Sequence, residues 1–406
     1  MSVLPPATAV APTRLTAVAF LFFSESKDWH GGKNYYRALF GALDADPARR
    51  IRVLAGVGKR IDTSGFDFPS SVTFVRSSAL DRHSPAWFVD QIGKLLFSRT
   101  LILQRRLRRE GTVVVSHGDP RNSSTFPTIA WIPDFQHVRL PRFFQPNELT
   151  ARNAQFKATV DGSERVVVSS HAACGDLIQF SPGNAGKARV LQFCSARPEL
   201  PANGGEDLTL RYGLAATFFY LPNQFWAHKN HRLALEALAL VRTRWPQAQI
   251  VCSGALSDYR NPTHIEALRA RVDELGLQDG FKLLGLLPYD HVAQLILRSA
   301  AVINPSYFEG WSTTVEEAKS LGAPLLLSDI PVHREQCPAG EALFFPADDG
   351  AALARCMERV LVGEWPPAVA DRVAAALARH QARTIAFSQA YQSIVDELTT
   401  SRRQPA

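Results

Sequence analysis

The chain has 406 residues, 46 % of them hydrophobic, and a formal net charge of +7. That is enough apolar material for two ordinary domains, and the charge suits anionic partners. No apolar run reaches the ~20 residues of a membrane-crossing helix, and the five cysteines form no Cys-x-x-Cys pair, which argues against a zinc site or a disulfide framework.

The chain also lacks zinc-finger spacing, an aromatic RNA-binding signature and a basic tail with interleaved aromatics, so nucleic acid is not an expected partner. The opening "MSVLPPATAVAP" has neither the basic start nor the apolar core of a secretion signal. Residues 1–14 read as a flexible tail, and a cytoplasmic location is expected. "LTAVAFLFF" is the first strand. The turn after it carries Gly31 and Gly32, which let a backbone approach a ligand closely, although the G-x-G-x-x-G fingerprint is absent. An amphipathic helix follows from "YYRALFGAL", and at its end Asp44 and Asp46 read as solvated turn residues before Pro47.

Further strands are expected at "IRVLAG", "TVVVSHG", "TIAWIPD" and "RVVVSS", alternating with helices. Residues 85–109 combine Trp87, Phe88, Leu95, Leu96 and Phe97 with Lys94, Arg99, Arg105, Arg106, Arg108 and Arg109. This is the pattern of a basic amphipathic helix on an anionic bilayer, or of a core helix with a solvated basic face. The Pro- and Gly-rich stretch 196–207 reads as a linker. Beyond it the alternation restarts with "TFFYLP", "QIVCSG", "FKLLG", "AAVINPS" and "PLLLSD". Two α/β halves joined by one linker imply a cleft between them.

The most informative stretch is "YFEGWSTTVEEAKSLGAPLLLSDIPVHRE" (307–335), a loop and helix between two buried strands. In parallel α/β sheets such loops lie at the carboxyl ends of strands, where ligands bind. Glu309 precedes the helix, and Glu317 lies within it. Free amides at a helix start favour an anion, and a carboxylate placed ahead of them competes with it. A ligand offering both phosphate and hydroxyl groups suits such a loop, as a nucleotide sugar does. The plainer reading makes Thr313 with Glu316, or Thr314 with Glu317, a capping box.

This stretch resembles the glutamate–seven–glutamate motif of the family 4 retaining glycosyltransferases. "YLPNQFWAHKNHRLALEAL" and "GLLPYDHVAQLILRSAAVINPS" resemble the same family, as do "WIPDFQHVRLPRFF" and "VVVSSHAACGDL" in the first half. The resemblance implies a GT-B fold, two Rossmann-like parallel-sheet domains facing each other across a cleft. The acceptor side would be 15–195 and the nucleotide-sugar side 208–385, with a helix 386–406 packing back toward the first domain.

It also implies roles for particular residues. Glu309 would touch hydroxyls of the transferred sugar, and Glu317 would hold the nucleotide ribose. The amides from Gly310 to Thr314 would face sugar and diphosphate. Trp311 and Ser312 stand where the motif usually has phenylalanine and glycine. Lys229 matches the family's phosphate-binding lysine, with Asn223 and Gln224 ahead of it at the donor site. Gln224 replaces a frequent arginine. His137 and Asp134 would lie near the acceptor, while His228, His231 and His333 read as positioning or surface residues. The expected reaction moves a hexose, mannose by family frequency, from a nucleotide diphosphate sugar to a glycan or lipid-linked acceptor, with no metal or other cofactor. A peripheral contact with an anionic membrane is a further expectation. The competing reading is a nucleotide-sugar-binding protein of the same fold without transferase activity.

Overall fold

A computed structural model describes residues 15–22, 30–97, 99–117, 125–198, 207–366 and 369–400. The expected tail 1–14 and most of the expected linker lie outside the described residues. Seven strands, β1 (Thr16–Phe22), β2 (Ile51–Val57), β3 (Thr73–Arg76), β4 (Thr112–Ser116), β5 (Thr128–Trp131), β6 (Arg165–Val168) and β7 (Ala188–Val190), form one sheet in the order β3-β2-β1-β4-β5-β6-β7. Six more, β8 (Phe218–Leu221), β9 (Gln249–Cys252), β10 (Phe281–Leu283), β11 (Ala301–Asn304), β12 (Leu325–Ser328) and β13 (Leu343–Phe345), form a second sheet in the order β10-β9-β8-β11-β12-β13. Paired strands run parallel.

In the second sheet β8, β9, β11 and β12 are buried along their whole length. Their side chains alternate between two cores. Phe219, Leu221, Ile250, Ile303 and Leu326 feed one, while Phe218, Tyr220, Val251, Val302 and Leu327 feed the other. Burial on both faces is what turns these strands into the continuous apolar runs visible in the sequence. The strand order reverses between β8 and β11, which makes their carboxyl ends the place where an open sheet of this kind presents a crevice.

The chain divides into two compact units, residues 1–131 with 162–166 and 385–406, and residues 132–161 with 167–384. In the first, the helix His30–Ala45 starts earlier than the sequence suggests, so Gly31 and Gly32 lie in its first turn rather than in the loop before it. Asp46 corrects another expectation. It is 4 % exposed and accepts hydrogen bonds from the Ser388 hydroxyl (2.7 Å) and the Gln392 amide (2.9 Å). Both donors sit on the helix Val369–Thr400, so the sequence-distant partners that bury Asp46 were invisible locally.

Residues 85–109 are two helices, Pro85–Phe97 and Ile102–Arg109, not one. The carboxylate of buried Asp90 accepts from the backbone N–H groups of Leu101, Ile102 and Leu103 at 2.7, 2.7 and 3.0 Å, tying the start of the second helix to the first. The returning chain passes over Gly93, where a Cβ would stand 2.8 Å from the Arg99 carbonyl oxygen.

Candidate functional site

From β8 the chain runs through Asn223 and Gln224 into a short 3-10 turn, Ala227–Lys229. Asn230 then takes φ 58° before the helix His231–Val241. Asparagine tolerates that left-handed conformation better than most residues. Here its side-chain amide also donates to the carbonyls of Pro305 (3.1 Å) and Ala347 (2.8 Å). Across from it, the Tyr307 N–H donates to the His228 carbonyl at 2.9 Å. These bonds fasten the turn after β8 to the loop after β11.

The result is a contact between two predicted residues 80 positions apart: Lys229 Nζ lies 2.6 Å from Glu309 Oε1. The Ser306 hydroxyl donates to the same oxygen at 2.7 Å. Glu309 is 8 % exposed. Burial is the largest single influence and raises its pKa, but the Lys229 charge and hydrogen bond together with the neighbouring His333 and His228 hold it at about 2. The carboxylate is therefore ionised at any physiological pH. Around the pair, His228, His231 and His333 are buried, not surface residues. Burial takes them down to about 3, 3 and 4, so all three are neutral imidazoles.

The motif helix Thr313–Leu321 is capped by Ser312, whose hydroxyl accepts from the Val315 N–H at 3.3 Å. That register corrects the capping-box reading, because the third helical position is Val315 and neither glutamate serves as a cap. Glu316 is buried and accepts from Gln336 (3.0 Å) and pairs with Arg383. Glu317 accepts from the Tyr289 hydroxyl at 2.9 Å. Burial pushes the Glu317 carboxyl up to about 7, with the Tyr289 bond working the other way.

Several predicted ligand contacts spend their polar groups inside the protein. Thr314 Oγ1 donates to Asn223 Oδ1 (3.0 Å), Asn223 Nδ2 to Asn304 Oδ1 (3.2 Å), and Asn304 Nδ2 to Ser312 Oγ (2.8 Å). The Ser312 N–H donates to Gln336 Oε1 at 3.1 Å, so it is not free for a ligand. Trp311 Nε1 donates to the Phe193 carbonyl at 2.9 Å. The N–H groups of Thr313 and Thr314, the first two of the helix, have no intrahelical acceptor and remain for an anion.

Gly310 has a steric reason. A Cβ there would stand 2.2 Å from the Pro133 carbonyl oxygen and 2.7 Å from Asp134 Cβ. The motif loop is thereby pressed against Asp134, whose carboxyl is raised chiefly by burial. Gly254 plays a similar part that the sequence reading missed. At φ 146°, its Cβ position is 2.4 Å from the Asn223 carbonyl oxygen, so the end of β9 closes on the Asn223–Gln224 loop. Tyr289 was also missed, since nothing but its place at a helix start marks it.

His137 departs from expectation. It is 2 % exposed, with ring centroids 4.7 Å from Phe156 and 6.3 Å from Phe135 and Phe180. Burial, the largest influence, lowers its pKa, with the charges of Arg152 and Asp134 also acting on the ring. Gly31 and Gly32 belong to the first unit and stay within their own helix.

Residues 216–376, which contain Lys229, Glu309 and Glu317, match the family model of glycosyl transferases group 1. No curated protein matches the chain. Among solved structures, sucrose-phosphate synthase from Thermosynechococcus elongatus is 17 % identical, with 96 % of this chain and 98 % of that one covered at a TM-score of 0.65. HepE from Anabaena, solved in complex with UDP and glucose, is 16 % identical over 94 % and 100 % of the two chains, TM-score 0.66. The lipopolysaccharide outer core galactosyltransferase WaaB is 14 % identical over 94 % and 99 %, TM-score 0.60. The fold is that of GT-B glycosyltransferases, two parallel-sheet α/β domains.

Proposed function

We propose that the chain is a retaining, metal-independent glycosyltransferase that takes a hexose from a nucleotide diphosphate sugar and passes it to a glycan or lipid-linked acceptor. The observation that carries the reading is the 2.6 Å contact of Lys229 with ionised Glu309 at the strand-order switch of the second sheet. A diphosphate leaving group needs fixed positive charge where its own charge develops. The ammonium N–H groups that Lys229 does not give to Glu309, with the open amides of Thr313 and Thr314, would supply donors for it. Glu309 would accept from hydroxyls of the sugar, and Glu317 beside Tyr289 would accept from the ribose. Attack on the face the diphosphate leaves, with that phosphate taking the acceptor proton, gives retention. UDP in the HepE structure supports testing uridine nucleotides first, with glucose and mannose donors side by side.

Peripheral membrane contact belongs to the same reading. The helix Pro85–Phe97 exposes Phe88, Ile92, Leu95, Leu96 and Phe97, and basic Arg105, Arg106, Arg108 and Arg109 follow on the next helix. Apolar side chains beside a basic stretch match the boundary of an anionic bilayer, where a lipid-linked acceptor resides. Among the described residues, no helix is long and apolar enough to cross a membrane.

Calorimetric titration with UDP, GDP and ADP tests the donor assignment. One nucleotide is expected to bind, Glu317→Gln to weaken it about tenfold (~1.4 kcal/mol), and Glu309→Gln to leave it nearly unchanged. Equal weakening by both substitutions would refute the division of labour, and binding of none of the three would refute the assignment.

A further inference from the structure

One residue before Lys229, His228 forms part of the wall of a cavity of about 130 Å³ whose other lining includes Arg142, Gln145, Asp258, Arg260 and Asn261. That is about the volume of four waters at ~30 Å³ each, room for a tetrahedral oxyanion. Arg260 is held in place from both ends. Its guanidinium carbon lies 4.2 Å from the Trp226 ring centroid and 4.5 Å from that of Phe144, with one hydrogen bond to Gln136 Oε1 at 3.1 Å. Its backbone N–H donates to Asp258 Oδ1 at 3.0 Å, and the other Asp258 oxygen accepts from the Ala227 N–H at 3.0 Å. Asp258 thus fixes the arginine's backbone to the Lys229 turn and spends both oxygens doing so. Arg142 leans over Phe143 and, at 5.8 Å, over Tyr307 of the motif loop.

Among the described residues, neither guanidinium has a carboxylate within the 4.0 Å of an ion pair. Two arginines oriented by aromatic rings face one small polar cavity beside Lys229, with the Asp258 carboxylate, already accepting two backbone N–H groups, in its wall. Aromatic stacking leaves the guanidinium N–H fork free for a planar or tetrahedral oxyanion.

We propose that this cavity is a phosphate-binding subsite with Arg142 and Arg260 as its cationic walls. The inference rests on the transferase reading for the source of the group, which is either a phosphate of the nucleotide donor or a phosphate carried by the acceptor. The site itself is defined by its arginines.

Titration of the full chain with inorganic phosphate, followed by thermal shift, tests it. Phosphate is expected to stabilise the unsubstituted protein, and Arg142→Gln/Arg260→Gln to raise the apparent Kd by about tenfold or more. Arg142→Gln alone, at an exposed position that folding does not need, should shift it in the same direction. UDP titration of the same variants identifies the source. Weakened UDP binding places the donor diphosphate in the cavity, and unchanged UDP binding places an acceptor phosphate there. Phosphate affinity that both variants leave unchanged overturns the subsite. Arginine-dependent phosphate binding without nucleotide release from any donor keeps the subsite and removes the transferase reading. Transferase activity without it does the reverse.

Discussion

Lys229 and Glu309 hold each other in place before any substrate arrives, and removing either leaves the other as an uncompensated charge. Breaking a buried pair from one side costs about 3–5 kcal/mol. Lys229 keeps a partly exposed side chain, so the lower end applies. Lys229→Ala should lose about 3 kcal/mol in urea unfolding at neutral pH, and Lys229→Ala/Glu309→Gln should recover most of it. Equal stability of the single and double variants would contradict the pair. Glu317 behaves in the opposite sense. Its carboxyl ionises near 4.5 when unfolded but near 7 when folded. Between those values the unfolded chain binds fewer protons, so stability falls as pH rises through the window, by about 3 kcal/mol in all. Glu317→Gln should flatten that fall. A ribose hydroxyl donating to Glu317 favours its ionised form, so nucleotide affinity should rise through about pH 7 in the unsubstituted protein and stay level in the variant. A pH-independent affinity in both would separate Glu317 from the nucleotide.

At the scale of elements, the strands the sequence reveals and those it hides differ by position. The reading found β1, β2, β4, β5 and β6 in the first sheet and β8 to β12 in the second. It missed β3, β7 and β13, three of the four edge strands, while the fourth, β10, showed itself through the apolar residues of "FKLLG". The residues of the missed three are partly exposed, and an edge strand half open to solvent lacks the apolar run that burial on both faces demands. Helix ends were blurred for another reason. Ser312 rather than Thr313 caps the motif helix, and Asp90 starts a second helix from eleven residues back. The helix Pro85–Phe97 yields a prediction of its own. Leu95 and Leu96 are 84 % and 65 % exposed, so Leu95→Glu/Leu96→Glu should change folding stability by no more than ~0.5 kcal/mol. The same variant should lose co-sedimentation with anionic vesicles. Undiminished co-sedimentation would remove the helix from membrane contact.

At the scale of the whole molecule, the restart of strand and helix alternation after the linker made two α/β halves legible, and the spacing of Glu309 and Glu317 marked the candidate loop. What stayed hidden depends on partners far along the chain. Asp46 is buried by residues from the last helix, His137 is walled in by Phe156 and Phe180, and Arg260 acquires meaning only beside Arg142. The central claim is that ionised Glu309 and Lys229 work together on a departing nucleotide diphosphate. Incubating the full chain with a panel of nucleotide sugars and glycan or lipid-phosphate acceptors, in the presence of EDTA, tests it most directly. Released nucleotide would be followed with time and the product anomer read by NMR. Acceptor-dependent release with retained configuration is expected, and in Glu309→Gln a kcat lower by about 10- to 100-fold. Inverted product, or nucleotide binding with no release above the buffer rate from any donor, would contradict the claim.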